Sequence, residues 1–279
     1  MSQWSQTRVQ GSGVVLNVRQ AGAGTAVLLL HGFPDSSRLW VDVAPRLVAA
    51  GYKVIAPDLR GFGRSEIPTN VSDYTLGHVV SDLRALIAKL AHDEPVRVIG
   101  HDWGALAGWC LALEHPNLVA ANVAISIGHP REYALAGLEQ KLKGLYTVAW
   151  QVPGVAERWL QWRGYAGLRG WLRQHPRGER CIEDMARPGR LTAGLNWYRA
   201  NLRRILFGSW ADCSVPTLGI WSDRDCLLAE GQMRNSQRRM KAPWRFERIG
   251  GAGHWLPLEQ PQAVAELATE WFEQNLARG

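Results

Sequence analysis

The sequence predicts an α/β fold with a mainly parallel, doubly wound sheet and an inserted helical domain. Apolar runs of strand length alternate with amphipathic runs of helical length, as in sheets that are covered by helices on both faces. This alternation stops between about residues 129 and 212, a stretch rich in tryptophan and arginine without a convincing strand. We therefore predict a core domain formed by residues 1–128 and 213–279 and a helical cap domain formed by residues 129–212.

Strands in the first half of the chain are predicted from short apolar runs. Residues 6–22 alternate weakly around Gly11 and Gly13, which predicts an antiparallel hairpin at the sheet edge. The continuous apolar runs that follow lie at residues 26–30, 52–57 and 95–100. Between these runs, helical spacing predicts one helix that includes Leu39, Trp40, Val43 and Leu47 and a second, strongly amphipathic helix over residues 76–90.

The second half of the chain continues this alternation on both sides of the predicted cap. Apolar residues at helical spacing from Leu106 to Leu113 predict a helix that ends at His115-Pro116. Further apolar runs predict strands at residues 118–127, 215–221 and 245–249. A last helix is predicted from the spacing of Val264, Leu267, Trp271 and Phe272.

The composition is that of a globular protein with a basic balance. Of the 279 residues, 46% are hydrophobic and 20% are charged, and a chain of this length can bury a substantial core. The formal net charge is +7, but the basic residues are spread along the chain, so we expect a solvated basic surface and no nucleic-acid partner. Neither a secretory leader nor a membrane-spanning apolar run is found, which predicts a cytoplasmic location and no membrane partner. The four cysteines lack metal-site and disulfide spacing, so no metal is expected.

The segment Gly100-His101-Asp102-Trp103-Gly104 has the frame of a nucleophile elbow. In such an elbow a buried strand turns sharply into a helix, and glycines let the backbone close so that the central side chain points into a cleft. Hydrolases usually carry serine at the centre, whereas this chain carries Asp102. The alternative is an ordinary strand-to-helix turn in which the aspartate caps the helix.

An aspartate at the centre of the elbow changes the chemistry that the elbow can perform. Its carboxylate, with an ordinary pKa of roughly 3.9, is anionic at neutral pH and needs no base to remove a proton. It is a weak nucleophile toward amides and esters, but it can displace a good leaving group from saturated carbon and form an alkyl ester of the protein. Water must then hydrolyse that ester, which requires a general base such as a histidine oriented by a carboxylate.

A histidine and an acidic loop follow the elbow in the order that this chemistry needs. His254 lies in a glycine-rich loop after the last predicted strand, and it alone among the eight histidines follows both the elbow and the acidic segment Ser222-Asp223-Arg224-Asp225. The order nucleophile, acid, histidine is typical of hydrolases with this elbow. Either Asp223 or Asp225 could reach the imidazole.

These segments resemble the α/β-hydrolase family, and specifically its epoxide hydrolase branch, over nearly the whole chain. The matching segments are HGFPDSSRLW, APDLRGFGRS, GHDWG, SDRDCLL and GAGHW, at residues 31–40, 56–65, 100–104, 222–228 and 251–255. The resemblance implies that the acid is Asp225 rather than Asp223, because relatives carry it at the fourth position of the SDRD segment. It also implies an oxyanion hole formed by the backbone N–H groups of Phe33 and Trp103.

The same resemblance implies two tyrosines that bind the epoxide oxygen. In epoxide hydrolases one lies in an N-W-Y-R context and the other a few residues before P-G-V-A-E, which selects Tyr198 and Tyr146. Ring opening places charge on an alkoxide, to which phenols can donate hydrogen bonds and then a proton. The alternative is that both tyrosines only pack in an aromatic cap. We expect an epoxide hydrolase without cofactor, in which Asp102, His254 and Asp225 work with the two phenols.

Two other functions are compatible with this scaffold. A haloalkane dehalogenase uses the same aspartate and histidine and often has tryptophan after the nucleophile, as Trp103 is here, but the position after His-Gly is often asparagine there and is Phe33 here. A non-catalytic ligand-binding protein usually lacks a member of the catalytic set, and all members are present. The expected partner is a small apolar epoxide, aromatic epoxides included, and the resemblance suggests a homodimer. The biological purpose, whether detoxification, catabolism or biosynthesis, stays open.

Several polar residues near these segments are expected to hold loops by hydrogen bonding rather than to take part in proton transfer. They sit in the loops at the strand ends or at the start of the predicted cap. These residues are His31, Asp35, Asp58, Arg60, His101 and His129.

Overall fold

One eight-stranded sheet runs through the computed structural model, which describes residues 4–275. The strands are β1 (Ser5–Gln10), β2 (Val15–Ala21), β3 (Ala26–Leu30), β4 (Lys53–Pro57), β5 (Val96–His101), β6 (Val119–Ile125), β7 (Thr217–Ser222) and β8 (Trp244–Ile249). Their spatial order is β1-β2-β4-β3-β5-β6-β7-β8, with β2 antiparallel to both of its neighbours and all other pairs parallel. The predicted mainly parallel, doubly wound sheet with an edge hairpin is confirmed.

Helices connect the strands, and half of the α-helices within residues 4–275 lie in one stretch of the chain. In order they are α1 (Ala44–Ala49), α2 (Leu76–Leu90), α3 (Trp103–Glu114), α4 (Pro130–Ala134), α5 (Leu138–Lys143), α6 (Leu145–Ala149), α7 (Val155–Trp171), α8 (Gly178–Ala186), α9 (Arg190–Phe207), α10 (Glu230–Asn235), α11 (Leu256–Glu259) and α12 (Pro261–Gln274). Helices α4 to α9 follow one another between β6 and β7, within the cap predicted at 129–212; we call residues 130–207 the helical insertion. Among residues 4–275, no helix is both long and apolar enough to cross a lipid bilayer.

The predicted single helix from Leu39 to Leu47 is wrong. The structure has a 3₁₀ turn at Ser37–Trp40, and α1 begins only after a three-residue turn. Pro45 lies in the first turn of α1, where its missing N–H leaves no helical hydrogen bond unmade, whereas farther inside a helix it would clash with the preceding turn. The apolar side chains face the core in either arrangement, so their spacing alone did not reveal the break.

The cleft lies where the order of strands in the sheet reverses direction. From β3 the chain moves outward to β4 and then returns to place β5 on the other side of β3. In doubly wound sheets such a reversal opens a crevice at the carboxyl ends of the two central strands. All six residues of β5 are buried, and the loop after β3 and the elbow after β5 meet at this crevice.

Helix α3 packs unusually close to the sheet because its first turn lacks a side chain at one position. A Cβ atom on Gly104 would overlap the carbonyl group of Leu30 at the end of β3. Ten consecutive residues of α3, from Trp103 to Ala112, are buried. The second glycine of the elbow therefore sets the distance between the helix and the central strand.

The helical insertion is fastened to the core by side chains of α9. The Trp197 indole N–H donates to the Arg60 carbonyl oxygen at 3.1 Å. The Asn201 amide donates to the Tyr74 carbonyl oxygen at 2.9 Å and accepts from the Leu76 N–H at 2.8 Å, so it bridges the turn that leads into α2. These bonds fix the position of α9 over the carboxyl ends of the strands.

We predict that Gly104→Ala destabilises the protein by about 2–4 kcal/mol in the free energy of unfolding, because the new methyl group must push α3 away from β3. Urea denaturation measures this change. Gly170→Ala is the matched control, since Gly170 lies in helix α7 with open space at its Cβ position, and it should stabilise the protein by up to about 1 kcal/mol. A Gly104→Ala protein as stable as the wild type would contradict this account of the elbow.

Candidate active site

Asp102 lies at the turn between β5 and α3 in a backbone conformation that side-chain-bearing residues seldom adopt. Its φ is 53° and its ψ is −122°, which costs a non-glycine residue on the order of 1–3 kcal/mol. Although it occupies the N-cap position of α3, its side chain makes no capping hydrogen bond. Its Oδ1 accepts instead from the backbone N–H of Phe33 at 3.0 Å. The helix-capping alternative is therefore wrong, and the turn has the geometry of an elbow.

A histidine and a second carboxylate stand in line with the Asp102 side chain. The His254 Nδ1 atom lies 2.9 Å from Asp225 Oδ2, and its Nε2 atom lies 3.9 Å from Asp102 Oδ2. All three side chains are buried. Asp223, the other acid of the loop, instead accepts from the backbone N–H of Gly251 at 2.8 Å. The structure brings Asp225, and not Asp223, to the imidazole.

Backbone hydrogen bonds hold both the acid and the histidine in place. The other oxygen of Asp225 accepts from the N–H groups of Leu227 and Leu228 at 2.8 and 2.9 Å. The His254 carbonyl oxygen lies 2.9 Å from Nε2 of His101, the residue next to the elbow aspartate. With Asp225 bonded to Nδ1 and His101 in contact with the backbone carbonyl, the ring of His254 is oriented so that Nε2 faces Asp102.

Glu259 is a positioning residue that the sequence interpretation did not single out. Its carboxylate accepts from the N–H groups of Gly253 and Trp255, the two neighbours of His254, at 2.7 and 3.1 Å. These bonds anchor both sides of the histidine loop to α11. A carboxylate five residues after the histidine, at the end of a short helix, was the available sequence signal.

Burial and charge act in opposite directions on the Asp102 carboxyl group. Burial raises its pKa above the ordinary value, while His254 and the backbone N–H groups of Trp103 and Phe33 lower it. The net direction is upward. The two N–H groups predicted to form an oxyanion hole therefore already interact with this carboxylate, and they compensate part of its lost hydration.

The pKa of His254 is governed by the carboxylates around it. Burial acts to lower this pKa, but the attraction of Asp225 and its hydrogen bond, followed by the charge of Asp102, raise it above the ordinary value. The pKa of Asp225 is shifted downward, because the effect of the imidazole and the two backbone N–H groups exceeds that of burial. Both shifts favour a protonated His254 ring next to an ionised Asp225.

Tyr146 on α6 and Tyr198 on α9 face the same cavity as Asp102. This cavity contains about 520 Å³ of space between protein atoms, part of it open to solvent. Burial, reinforced by the nearby Asp102 carboxylate, raises the pKa of each phenol well above 10. Both phenols consequently stay protonated at neutral pH and can donate hydrogen bonds into the cavity.

An ion pair joins the two tyrosine-bearing segments. Arg199, which follows Tyr198, makes two parallel hydrogen bonds of 2.8 and 2.9 Å to the Glu157 carboxylate. It also donates to the carbonyl oxygen of Trp150, at the end of the helix that carries Tyr146. The arginine of N-W-Y-R and the glutamate of P-G-V-A-E are therefore partners, and the contacts of Arg199 tie the segment of Tyr198 to that of Tyr146.

Aromatic side chains form the wall between the loop after β3, which carries Phe33, and the helical insertion. The Phe33 ring packs edge-on against Tyr198 and Trp171 and tilted against Trp150, with ring centroids 5.3–5.7 Å apart. Gly194 on α9 permits this packing, because a Cβ atom there would lie 2.8 Å from the Phe33 ring. Phe33 thus contributes its N–H to the Asp102 carboxylate and its ring to the cavity roof.

Tyr133 is a further phenol in the cavity wall, and the sequence interpretation missed it. It lies on α4 and lines the cavity together with apolar side chains such as Leu106 and Ile127. Burial, followed by the charge of Asp102, raises its pKa to about 12. Its flanking sequence has no distinctive pattern, so only the fold of the insertion shows that it reaches the site.

The other polar residues of these loops make structural hydrogen bonds, as expected. His31 contacts the Gly32 carbonyl oxygen through Nδ1 at 2.8 Å and accepts from the Leu59 N–H through Nε2 at 3.0 Å. His129 accepts from the Arg131 N–H at the start of α4. The remaining loop contacts are those of Asp58 with Asn17, Ser37 and Arg64, and of Arg60 with Asp82.

One group of side chains in the described part of the chain has the donor types of a metal site. Donor atoms of Asp35, His175 and Cys181 lie within 4.8 Å of one another and are buried. However, the Arg177 N–H donates to Nδ1 of His175 at 2.9 Å, so the ring hydrogen is on Nε2, which faces Asp35 at 3.3 Å. The arrangement fits a hydrogen-bond network that ties the loop after β3 to the insertion better than it fits a set of metal ligands.

Comparison with known proteins finds relatives of this chain in sequence and in fold. Residues 25–261 match the family model described as the alpha/beta hydrolase fold. The chain is 39% identical to "Epoxide hydrolase 2" of Siraitia grosvenorii, over 98% of this chain and 100% of that protein. It is 31% identical to "Epoxide hydrolase A" of Mycobacterium tuberculosis, over 95% and 96% of the two chains. The crystal structure of epoxide hydrolase A from Mycobacterium thermoresistibile superposes with a TM-score of 0.84 at 28% identity, covering 97% of this chain and 98% of that one.

We predict that Asp225→Asn lowers the pKa of His254 from its wild-type value, because the ring loses its main anionic partner while the burial that opposes its charge is unchanged. An NMR titration of the His254 ring nitrogens measures this pKa. Asp223→Asn is the matched control and should leave the pKa of His254 at its wild-type value, because Asp223 contacts the Gly251 N–H and not the imidazole. An equal shift in both variants, or a shift in the control alone, would reject Asp225 as the partner.

Proposed function

The chain belongs to the α/β-hydrolase fold family, in its epoxide hydrolase branch, and we propose that it converts an epoxide and water into a vicinal diol through an ester on Asp102. One observation carries the proposal: a single apolar cavity joins an elbow carboxylate to two protonated phenols. A carboxylate can attack one end of an epoxide while the phenols take up the charge at the other end. The relatives named as epoxide hydrolases support the same reaction.

In the first step, Oδ2 of Asp102 attacks a ring carbon. Oδ1 already accepts a hydrogen bond from the Phe33 N–H, which leaves Oδ2 as the freer oxygen. As the new carbon–oxygen bond forms, the carbon–oxygen bond of the ring breaks, and the departing oxygen takes a proton from Tyr146 or Tyr198. No leaving group is released, because the alcohol stays attached to the esterified substrate.

In the second step, a water molecule attacks the ester carbon of Asp102. His254 takes a proton from this water through Nε2, while Asp225 holds the ring by its other nitrogen and stabilises the imidazolium. The tetrahedral oxyanion lies at Oδ1, where the N–H groups of Phe33 and Trp103 can stabilise it. When it collapses, the diol leaves with the proton of His254, and the proton that remains on Asp102 returns to the phenolate.

Formation of the ester also prepares the base for its task. In the free enzyme the charge of Asp102 is one of the factors that raise the pKa of His254. Esterification removes this charge, so the pKa of His254 falls and a larger fraction of the imidazole is neutral when water must be deprotonated. The neutral form of His254, which can act as a base, is thus favoured once Asp102 has become an ester.

The cavity is better suited to an epoxide oxygen than to a halide ion. A halide leaving group requires N–H donors, whereas Tyr146 and Tyr198 bring two phenols to the cavity, and the Trp103 ring packs edge-on against the Tyr198 ring with centroids 5.0 Å apart. The Phe33 position provides an aromatic ring instead of an amide. The remaining wall is mostly apolar, which favours small apolar substrates, aromatic epoxides included.

We predict that Tyr198→Phe and Tyr146→Phe each reduce kcat/KM for styrene oxide by about 10²–10³-fold, since each removes one donor to the developing alkoxide. The double variant should lose turnover above the uncatalysed rate. A panel of epoxides and alkyl halides, assayed with all three variants, measures these effects. Tyr165→Phe is the matched control, because Tyr165 on α7 lies outside the cavity wall, and it should keep wild-type activity.

Two results would contradict the proposed reaction. One is a double phenylalanine variant, folded by thermal denaturation, that opens epoxides as fast as the wild type. The other is a wild-type protein that releases halide from alkyl halides and leaves epoxides intact, which would favour a dehalogenase.

A further inference from the structure

The outer surface of helices α5 to α7 exposes an unusual amount of apolar side chain. Among the residues that the structure describes, thirteen large hydrophobic side chains are exposed, and nine of these lie between residues 135 and 162. We call these nine the apolar patch: Leu135, Leu138, Leu142, Leu145, Val148, Val152, Val155, Trp159 and Trp162. Concentrations of this kind mark interaction surfaces, because isolated exposed hydrophobic residues are normal but clusters are not.

Residues of the apolar patch follow helical spacing and point away from the core. Within each helix they recur at a spacing of three or four, as Leu138 and Leu142 on α5, Leu145 and Val148 on α6, and Val155 and Trp159 on α7, which places each pair on one side of its helix. Leu135 and Val152 lie in the connections between helices, and Trp162 lies where the backbone of α7 leaves the helical conformation. The opposite side of α5 is occupied: the Gln140 side chain contacts the Leu227 carbonyl and the Ala229 N–H, next to the acid loop. Helix α5 is thus fixed by its inner side, and its outer leucines are not needed for that docking.

The charges around the apolar patch are predominantly positive. Lys141, Arg158 and Arg163 are exposed and make no ion pair to the described residues, and the Arg163 guanidinium lies over the Trp162 ring at 4.6 Å. The acids of the same stretch are already paired, Glu139 with Lys143 at 3.1 Å and Glu157 with Arg199. An apolar surface with leucine and tryptophan, flanked by free cations, fits an anionic lipid surface.

We propose that the apolar patch docks this enzyme onto the surface of a membrane that contains anionic lipids. Leucine, valine and tryptophan side chains would enter the region of the headgroups, while Lys141, Arg158 and Arg163 contact lipid phosphates. This is peripheral contact, which needs no spanning helix. It revises the expectation from sequence that the protein has no membrane partner.

A second copy of the chain fits this surface less well. In a symmetric dimer the same patch faces itself, and the three free cations of each copy are brought toward those of the other. The paired state of Glu139 and Glu157 leaves no free carboxylate in the patch to balance them. A dimer through the apolar patch is therefore the outcome that would overturn the proposal.

The apolar patch lies next to the cavity wall, so docking on a membrane would bring the cavity close to substrates in the lipid. Helix α6 has Tyr146 and Thr147 in the cavity wall, while its neighbouring residues Leu145 and Val148 are exposed in the patch. One short helix thus separates the membrane-facing surface from the apolar cavity. If the proposed function holds, epoxides dissolved in the lipid phase are the natural substrate class.

Vesicle sedimentation tests the proposal without relying on catalysis. Wild-type protein should bind vesicles of phosphatidylcholine with phosphatidylglycerol at least tenfold more strongly than vesicles of phosphatidylcholine alone, and salt should weaken this binding. The double variant Leu138→Ser/Leu142→Ser should lose at least tenfold in binding. Lys141→Glu/Arg158→Glu should lose the preference for anionic lipid. Each variant should retain the wild-type rate on a water-dissolved epoxide.

Two control variants distinguish binding through the apolar patch from nonspecific hydrophobic or electrostatic binding elsewhere on the surface. Phe207→Ser removes the most exposed large hydrophobic side chain outside the patch, and Arg84→Glu reverses an exposed charge on α2. Both should bind vesicles as the wild type does. The proposal fails if the wild type does not bind anionic vesicles, if the controls lose as much binding as the patch variants, or if sedimentation velocity shows a dimer that Leu138→Ser/Leu142→Ser dissociates. If the wild-type protein binds anionic vesicles but does not turn over epoxides, the proposed function fails and the docking proposal stands.

Discussion

The conformation of Asp102 is the constraint on which the rest of the site depends. A positive φ at a residue with a side chain is unfavourable, and it persists because β5 and α3 are both packed so tightly that the turn between them has no alternative. Gly104 lets α3 approach the central strand, and a Cβ atom on Gly32 would collide with the Asp102 side chain. The absence of a side chain at Gly32 and at Gly104 therefore lets the Asp102 carboxylate lie beside the loop after β3.

The helical insertion and the core are coupled through contacts that serve the site directly. Arg199 and Glu157 hold the segments of the two phenols together, and Trp197 and Asn201 fasten α9 to the core. From the other side, Lys143 on α5 donates to the carbonyl oxygen of Asp225 at 2.8 Å. The two phenols and the carboxylates of the core are thus parts of one hydrogen-bonded framework, which holds a cavity wall from a separate stretch of chain in a fixed position relative to Asp102.

Much of the fold could be predicted from sequence because buried parallel strands are short, continuous apolar runs and the elbow has its own glycine frame. Contacts between residues that are distant in sequence could not be predicted. Nothing in the local sequence pairs Glu157 with Arg199, and nothing marks Tyr133 as a cavity residue. Asp225 and Asp223 can be told apart only by the turn between them, which directs the carboxylate of Asp225 to His254 and that of Asp223 to the Gly251 N–H. Periodicity likewise failed to distinguish an outward apolar face from a buried one, since both show the same spacing along α5 to α7.

The central claim is that Asp102 bonds covalently to the substrate, and a single turnover in oxygen-18 water tests it most directly. With enzyme in excess over an epoxide, mass spectrometry of the peptide that contains Asp102 and of the diol locates the label. Since water attacks the ester carbon in this account, the label should enter the Asp102 carboxylate while the first diol molecule carries only unlabelled oxygen. Label in the diol and none in the peptide would show that water opens the ring directly, and the covalent route would have to be abandoned.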